Sequence, residues 1–209
     1  MRQVTLCYLA FAAFVLAGCG GNGSGSATLW VTRDRGHVVL LVARVPAGLT
    51  AMQALERKSK IETSYGGRFV DAIDHVKSAP HHDWFYFVNG IDGDRSAVEV
   101  RLHDGDNLWW DYRSWQQPNE VPAVIGAFPQ PFLHGPAVVV GSGPVAARLA
   151  KLVHGRVVAG APRDSYVLEL RRGEGFRALD GHHFVIGPTA AAKLVANPTA
   201  FRFRFEVPA

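Results

Sequence analysis

The stretch HDGDNLWWDYRSW, His103–Trp115, decides how the N-terminal half of this chain folds. An Asp-Gly-Asp turn opens onto a run whose alternate side chains must point to opposite faces of a strand. Leu108, Trp110 and Tyr112 share one face, which reads as core. Trp109, Asp111, Arg113 and Trp115 share the other. Tryptophan mixed with charge predicts a face that is not fully buried and is open to a partner.

Upstream, DWFYFVNG (Asp83–Gly90) is a second aromatic strand. It sends Trp84, Tyr86 and Val88 one way and Phe85 and Phe87 the other, and ends in the tight-turn pair Asn89-Gly90. Between the two lies SAVEVRL (Ser96–Leu102), whose alternation predicts a further strand. Earlier still, ATLWVTRDRGHVVLLVARVP reads as a hairpin turned at Asp34-Arg35-Gly36 and closed by Pro46. AGLTAMQALERKSK follows as a helix whose Thr50 and Gln53 have capping-box spacing. A short strand is predicted within Tyr65–Ile73. Hairpin, helix, then several strands gives an α+β fold with a β-grasp-like N-terminal domain over residues 27–117.

Prolines 118, 122, 129 and 131 mark residues 118–134 as a Pro-rich linker. Residues 135–209 read as a small α/β domain. AVVV, RVVAG and SYVLELRR are strands, VAARLAKLV and PTAAAKLVAN are helices, and FRFRFEV, with Phe201, Phe203 and Phe205 alternating with arginine, is a last strand. That β-α-β-β-α-β order predicts a ferredoxin-like layer.

The first residues are an address. Arg2 precedes the apolar run Val4–Ala17, which is short for a bilayer span, and Leu16-Ala17-Gly18-Cys19 follows. This resembles a bacterial lipoprotein signal. The resemblance implies removal of residues 1–18, acylation of Cys19, a Gly/Ser tether over 19–26, and a protein anchored on the extracytoplasmic side of the cell membrane. An ordinary cleaved secretory signal is the alternative. With Cys7 in the signal and Cys19 lipidated, no cysteine pair remains for a disulfide.

The chemistry the sequence offers is that of binding. The net charge of +4 is scattered, with no basic patch of nucleic-acid size, so no nucleic-acid partner is expected. No G-x-S-x-G or nucleophilic cysteine is present, and Asp104 and Asp106 read as turn carboxylates, so the protein is expected not to be an enzyme. Adjacent histidines, His81-His82 and His182-His183, would face opposite ways in a strand, so no metal site is expected. Gly141-Ser142-Gly143 between strand and helix reads as a tight turn, since no acidic residue closes the next strand as a dinucleotide fingerprint requires.

Three segments together, VPAGLTAMQAL (Val45–Leu55), DWFYFVNGI (Asp83–Ile91) and HDGDNLWWDYRSW, resemble the transcobalamin-like C-terminal domain of bacterial surface lipoproteins and of the smaller lobe of vitamin B12 carriers. The resemblance spans residues 27–117, and the carriers' large helical domain has no counterpart here. It implies non-catalytic binding, with cobalamin or a related corrinoid as a candidate ligand and a membrane transporter as a candidate partner, but no resident cofactor. Trp84, Tyr86, Asn89, Trp109, Trp110, Tyr112 and Trp115 are the expected ligand-binding residues. The alternative is a protein- or glycan-docking module of the cell envelope, with the Trp109/Trp115 face as its contact.

Overall fold

A computed structural model describes residues 25–116, 121–173 and 175–207. Cys19, the expected signal and most of the expected tether lie outside the described residues. The chain is a mixed, sheet-rich α+β protein.

β1 (Ser26–Arg33) and β2 (Val38–Pro46) form the expected antiparallel hairpin, and Ser26, assigned to the tether, is the first strand residue. α1 (Ala51–Glu56) starts at the predicted capping box: the Gln53 backbone N–H donates to Thr50 Oγ1 at 3.2 Å, and the Thr50 N–H donates to Gln53 Oε1 at 3.0 Å. β3 (Ile61–Ser64), β4 (Phe69–Ile73) and β5 (Val76–Lys77) make a small three-stranded antiparallel sheet. β6 (His82–Val88), β7 (Ile91–Asp92) and β8 (Asn107–Ser114) join the hairpin in a five-stranded sheet of order β2-β1-β8-β6-β7. β1 and β8 run parallel at its centre; every other neighbouring pair is antiparallel. Two tight cross-connections cannot join parallel strands, so α1 and the small sheet fill the crossover. Ala51, Met52 and Leu55 of α1 pack on Leu29, Val31, Trp84, Leu108 and Trp110 as the first core.

Ser96–Leu102 is not a strand. Its backbone is spent on α1 instead: the Ala51 and Met52 N–H groups, orphaned at the helix start, donate to the carbonyls of Val100 (2.8 Å) and Ala97 (3.1 Å). Val98, Val100 and Leu102 still pack on the core while Glu99 and Arg101 are exposed, so the alternation is real but serves a strap rather than a ladder.

The expected linker is built into the structure. Ala123, Ile125 and Phe132 enter the C-terminal core, while Val121 and Val124 pack on the N-terminal sheet, and Ala123 bridges Ile91.

The C-terminal sheet contains β9 (Ala137–Val140), β10 (Arg156–Val158), β11 (Tyr166–Leu170), β12 (Phe176–Ala178) and β13 (His183–Ile186), with α2 (Gly143–Leu152) after β9 and α3 (Pro188–Ala196) after β13. Its order is β10-β9-β11-β13-β12, parallel except for the β12 edge. This replaces the ferredoxin-like expectation. A ferredoxin-like order would make β10 and β11 an antiparallel hairpin, but β9 lies between them and both run parallel to it.

FRFRFEV is not a strand either. Phe201 ends a 3-10 turn in the C-terminal core, Phe203 takes φ +60°, and the chain turns back onto the N-terminal sheet. There Phe203 meets Trp30 edge-on at 4.5 Å, and Phe205 meets Trp109 and Phe87 edge-on at 5.1 and 5.2 Å. Alternation here buries phenylalanines against a finished sheet, without pairing to it. Gly36 (φ +80°) and Gly126 make room: a Cβ on Gly36 would lie 1.8 Å from the Phe203 carbonyl oxygen, and one on Gly126 2.6 Å from that of Arg204. The tail is thus a fixed strap. Phe205→Ala should cost about 3 kcal/mol of stability, as for other buried phenylalanines, and lower the urea midpoint; an unchanged midpoint would show that the strap supports nothing.

Candidate functional site

Cross-strand pairing between β6 and β8 sets Trp84 opposite Tyr112 and Tyr86 opposite Trp110, with ring centroids 5.2 Å apart in both pairs. Trp84, Tyr86 and Trp110 belong to the first core, with Tyr112 packed half-buried at its edge. The Trp84 Nε1–H donates to the Val76 carbonyl at 3.1 Å.

The opposite face is closed, contrary to expectation. Trp109 and Asp111 are 0 % exposed and Arg113 2 %. Three devices make this tolerable. The Trp109 Nε1–H donates to Thr32 Oγ1 at 2.7 Å, and that hydroxyl donates to Asp111 at 2.5 Å. The Asp111 carboxylate also accepts the N–H groups of Arg35 (3.1 Å) and Gly36 (3.0 Å), so it caps the turn of the first hairpin. Burial pushes its pKa up, against the pull of those hydrogen bonds. The Arg113 guanidinium stacks over Phe85 at 4.3 Å and lies within 5.3 Å of the Phe205 ring; its burial lowers its pKa. Charge on this face serves the fold. Trp115, past the end of β8, is 37 % exposed and packs edge-on against His81 at 5.0 Å. Trp109 and Trp115 therefore form no common surface.

The open features lie at the β6–β7 edge. Asn89 (φ +55°) and Gly90 (φ +79°) make the predicted tight turn. The Asn89 side chain is tied down: its Nδ2 donates to Asp106 at 2.7 Å, and its Oδ1 accepts the Asn107 N–H at 2.8 Å. After β7 the chain folds back over Tyr86. The Gly93 N–H donates to the Tyr86 carbonyl at 2.9 Å, and the Tyr86 hydroxyl donates to the Arg95 carbonyl at 2.6 Å. Gly93 lies flat on the tyrosine ring, where a Cβ would come within 2.1 Å of Cζ.

This strap, Asp92–Arg95, divides two grooves. One, of about 430 Å³, is lined by Phe69, Trp84, Phe85, Tyr86 and Trp110, with Arg68 and Asp83 among its charged residues. The other, of about 420 Å³, is lined by Asn89, Ile91, Arg101 and His103, and by Pro131 and Tyr166 from the C-terminal half. Tyr86, Asp92, Gly93 and Arg95 line both. Each is of small-molecule size, with aromatic walls and a charged rim.

Of the expected site residues, the first groove thus gathers Trp84, Tyr86 and Trp110, and the second Tyr86 and Asn89. Tyr112 lies outside both, stacked on His82 at 5.7 Å. Sequence reasoning missed the strap and Tyr166. Gly93 between two aspartates, directly after an Asn-Gly turn, is a readable signal for the strap; no sequence signal marks Tyr166, which reaches the groove by tertiary packing alone.

A further polar cluster lies on the C-terminal sheet. His183 Nε2 sits 2.9 Å from Glu169 Oε2, and the Arg171 hydrogen bonds hold the Glu169 carboxyl below its usual range. Gly141-Ser142-Gly143 is the tight turn into α2. Among the described residues no group of three or more His, Cys, Asp or Glu is placed to hold a metal ion, and no helix is long and apolar enough to cross a membrane.

Comparison with known proteins finds similarity over part of the chain. Residues 48–114 match the family described as Domain of unknown function (DUF4430). No curated protein matches the sequence. Among solved structures, a candidate metal-binding protein from Ruminococcus gnavus is similar, with 18 % identity and a TM-score of 0.35, over 43 % of this chain and 97 % of that one. Haptocorrin in complex with Cbi is similar with 15 % identity and a TM-score of 0.36, over 43 % of this chain and 25 % of haptocorrin. The chain therefore spans about a quarter of haptocorrin's length.

Burial and the Asp94 charge push the Tyr86 hydroxyl up to about 12 from 10.0. A raised folded pKa gives stability that is complete below the unfolded value and lost as pH rises through the folded one. Stability should therefore fall between pH 10.0 and about 12, and Tyr86→Phe should flatten that part of a pH–stability curve; an identical curve would show that the hydroxyl ionises freely. Asp111→Ala leaves three donors without an acceptor and should cost at least about 2 kcal/mol in a urea titration; a smaller loss would mean that water replaces the carboxylate.

Proposed function

We propose that this protein is a non-catalytic, membrane-anchored extracytoplasmic binding protein that captures a small molecule in the grooves beside the Asp92–Arg95 strap. The observation that carries the reading is the pair of adjoining grooves, each above 400 Å³, one walled by Trp84, Tyr86 and Trp110 and the other by Tyr86, Ile91 and Tyr166, with charged residues in both linings. Among the described residues no group of three or more His, Cys, Asp or Glu is gathered there to hold a metal ion. Delivery to a membrane transporter follows from such a role.

A corrinoid is our first candidate. Its broad, partly apolar ring needs aromatic contact area, and its amide rim needs polar partners. A ligand of that breadth would lie across both grooves with the strap beneath it. Hairpin, helix and the parallel β1–β8 pairing support a β-grasp arrangement for this half. The lipobox-like Leu16–Cys19 supports acylation of Cys19. The docking alternative retains one observation: Tyr65, 83 % exposed, packs edge-on with Phe69 on the β3–β4 turn.

Cobalamin titrated into the full-length protein, followed by tryptophan fluorescence and the corrin absorption bands, tests the reading. Saturable quenching with a band shift is expected. Phe69→Ser and Arg95→Glu, both on groove walls, should weaken it about tenfold, equivalent to ~1.4 kcal/mol, whereas Trp115→Ala should leave it unchanged. Absence of saturation removes the corrinoid and favours docking through Tyr65 and Phe69.

A further inference from the structure

At the opposite edge of the main sheet, β2 has no strand beyond it among the described residues. It is nine residues long, and Val38, Val39, Leu40 and Val42 are 40–46 % exposed. Soluble proteins ordinarily blunt such an edge with charge. This one carries a bulge instead. Val31 pairs with Leu41 and Thr32 with Val39, so Leu40 is the extra residue and the ladder is interrupted at the centre of the apolar run. An interrupted ladder is a poor template for adding another strand, yet the four aliphatic side chains remain turned to solvent.

Cations surround them. Arg33, Arg35 and Arg44 lie on the hairpin, and Arg202 comes from the tail, its guanidinium 5.3 Å from the ring of Trp30, which pairs with Val42. Arg33 is paired with Asp34, and Arg35 with Glu206. Arg44 and Arg202 have no ion pair to a carboxylate among the described residues. An aliphatic centre with a cationic rim matches the interface of an anionic bilayer.

The chain's entry point agrees. Ser26 pairs with Pro46, so the polypeptide arrives beside the end of β2. Only residues 20–25 separate Cys19 from β1, a reach of roughly 25 Å at full extension. Val42 lies four residues from Pro46 along the strand, about 13 Å.

We propose that the β2 edge is the face with which the anchored protein lies on an anionic membrane. This rests on the acylation of Cys19 in the preceding reading. Its consequence is orientation: β7 stands four strand spacings from β2, about 19 Å, so the grooves would open away from the bilayer.

The test uses the full-length protein from membranes, reconstituted in phosphatidylglycerol-containing vesicles, with an environment-sensitive label on Leu40→Cys or, as control, Arg95→Cys. Both positions are exposed, so neither substitution disturbs the core. Nitroxide lipids should abolish most of the label's emission at position 40 and leave position 95 unaffected, and the loss should shrink in high salt or in neutral vesicles. Mass spectrometry of the N-terminal peptide separates the two readings. An acylated Cys19 with an unquenched label at 40 overturns the orientation and leaves the anchor standing; an N-terminus without acyl groups overturns both. Position 40 cross-linking between copies with equal yield in vesicles and in detergent would make the edge a self-association surface and also overturn the proposal.

Discussion

The parallel pairing of β1 with β8 is the constraint on which the rest depends. Parallel neighbours cannot be joined by a tight turn, so everything from α1 to the second aromatic strand is threaded through one crossover. Thr32 on β1, and Trp109 and Asp111 on β8, hold the pair together at its centre through side-chain hydrogen bonds of 2.5–2.7 Å. The same carboxylate caps the turn that sends β2 back along β1. One buried acid thus fixes two strand relationships at once. Its desolvation is offset by three donated hydrogen bonds, from the Thr32 hydroxyl and the Arg35 and Gly36 N–H groups, which is why it stays compatible with a dry interior.

Because the central pair is buried on both faces, the sheet needs two covers. α1 and its strap cover one, with the strap's carbonyls taking the helix's orphan N–H groups. The returning tail and the connecting segment cover the other, and the C-terminal unit is thereby welded to the first through Phe203 and Phe205. What stays open is set by what these covers do not reach. These are the β6–β7 edge, with its two grooves, and the β2 edge, with its aliphatic row. The two lie at opposite ends of one sheet, so the proposed membrane docking and the proposed ligand capture would use separate edges.

Local signals were legible where the chain makes local contacts. The capping box at Thr50, the turns at Asp34–Gly36 and Asn89-Gly90, the alternation of β6 and β8 and both C-terminal helices all follow from residue spacing, and the structure places them as read. Alternation failed at Ser96–Leu102 and Phe201–Phe205 for a shared reason: a period of two shows that alternate side chains bury, not that the backbone has a ladder partner. The order of the C-terminal strands was equally out of reach, since identical strand and helix segments fit a hairpin or a crossover.

The sequence by itself determined the capping box, the tight turns, both C-terminal helices, the two faces of the aromatic strands and the apolar run Val4–Ala17 ahead of Cys19. Tertiary structure alone decided which face meets solvent. Asp111 and Arg113 read as surface because charge is costly to bury, and only the convergence of Thr32, the hairpin turn and Phe205, from positions far apart in the chain, supplies the hydrogen bonds and ring faces that make burial tolerable. The grooves have the same origin: a glycine resting on Tyr86 and a tyrosine from the other half create their walls, and neither contact is encoded within any single segment.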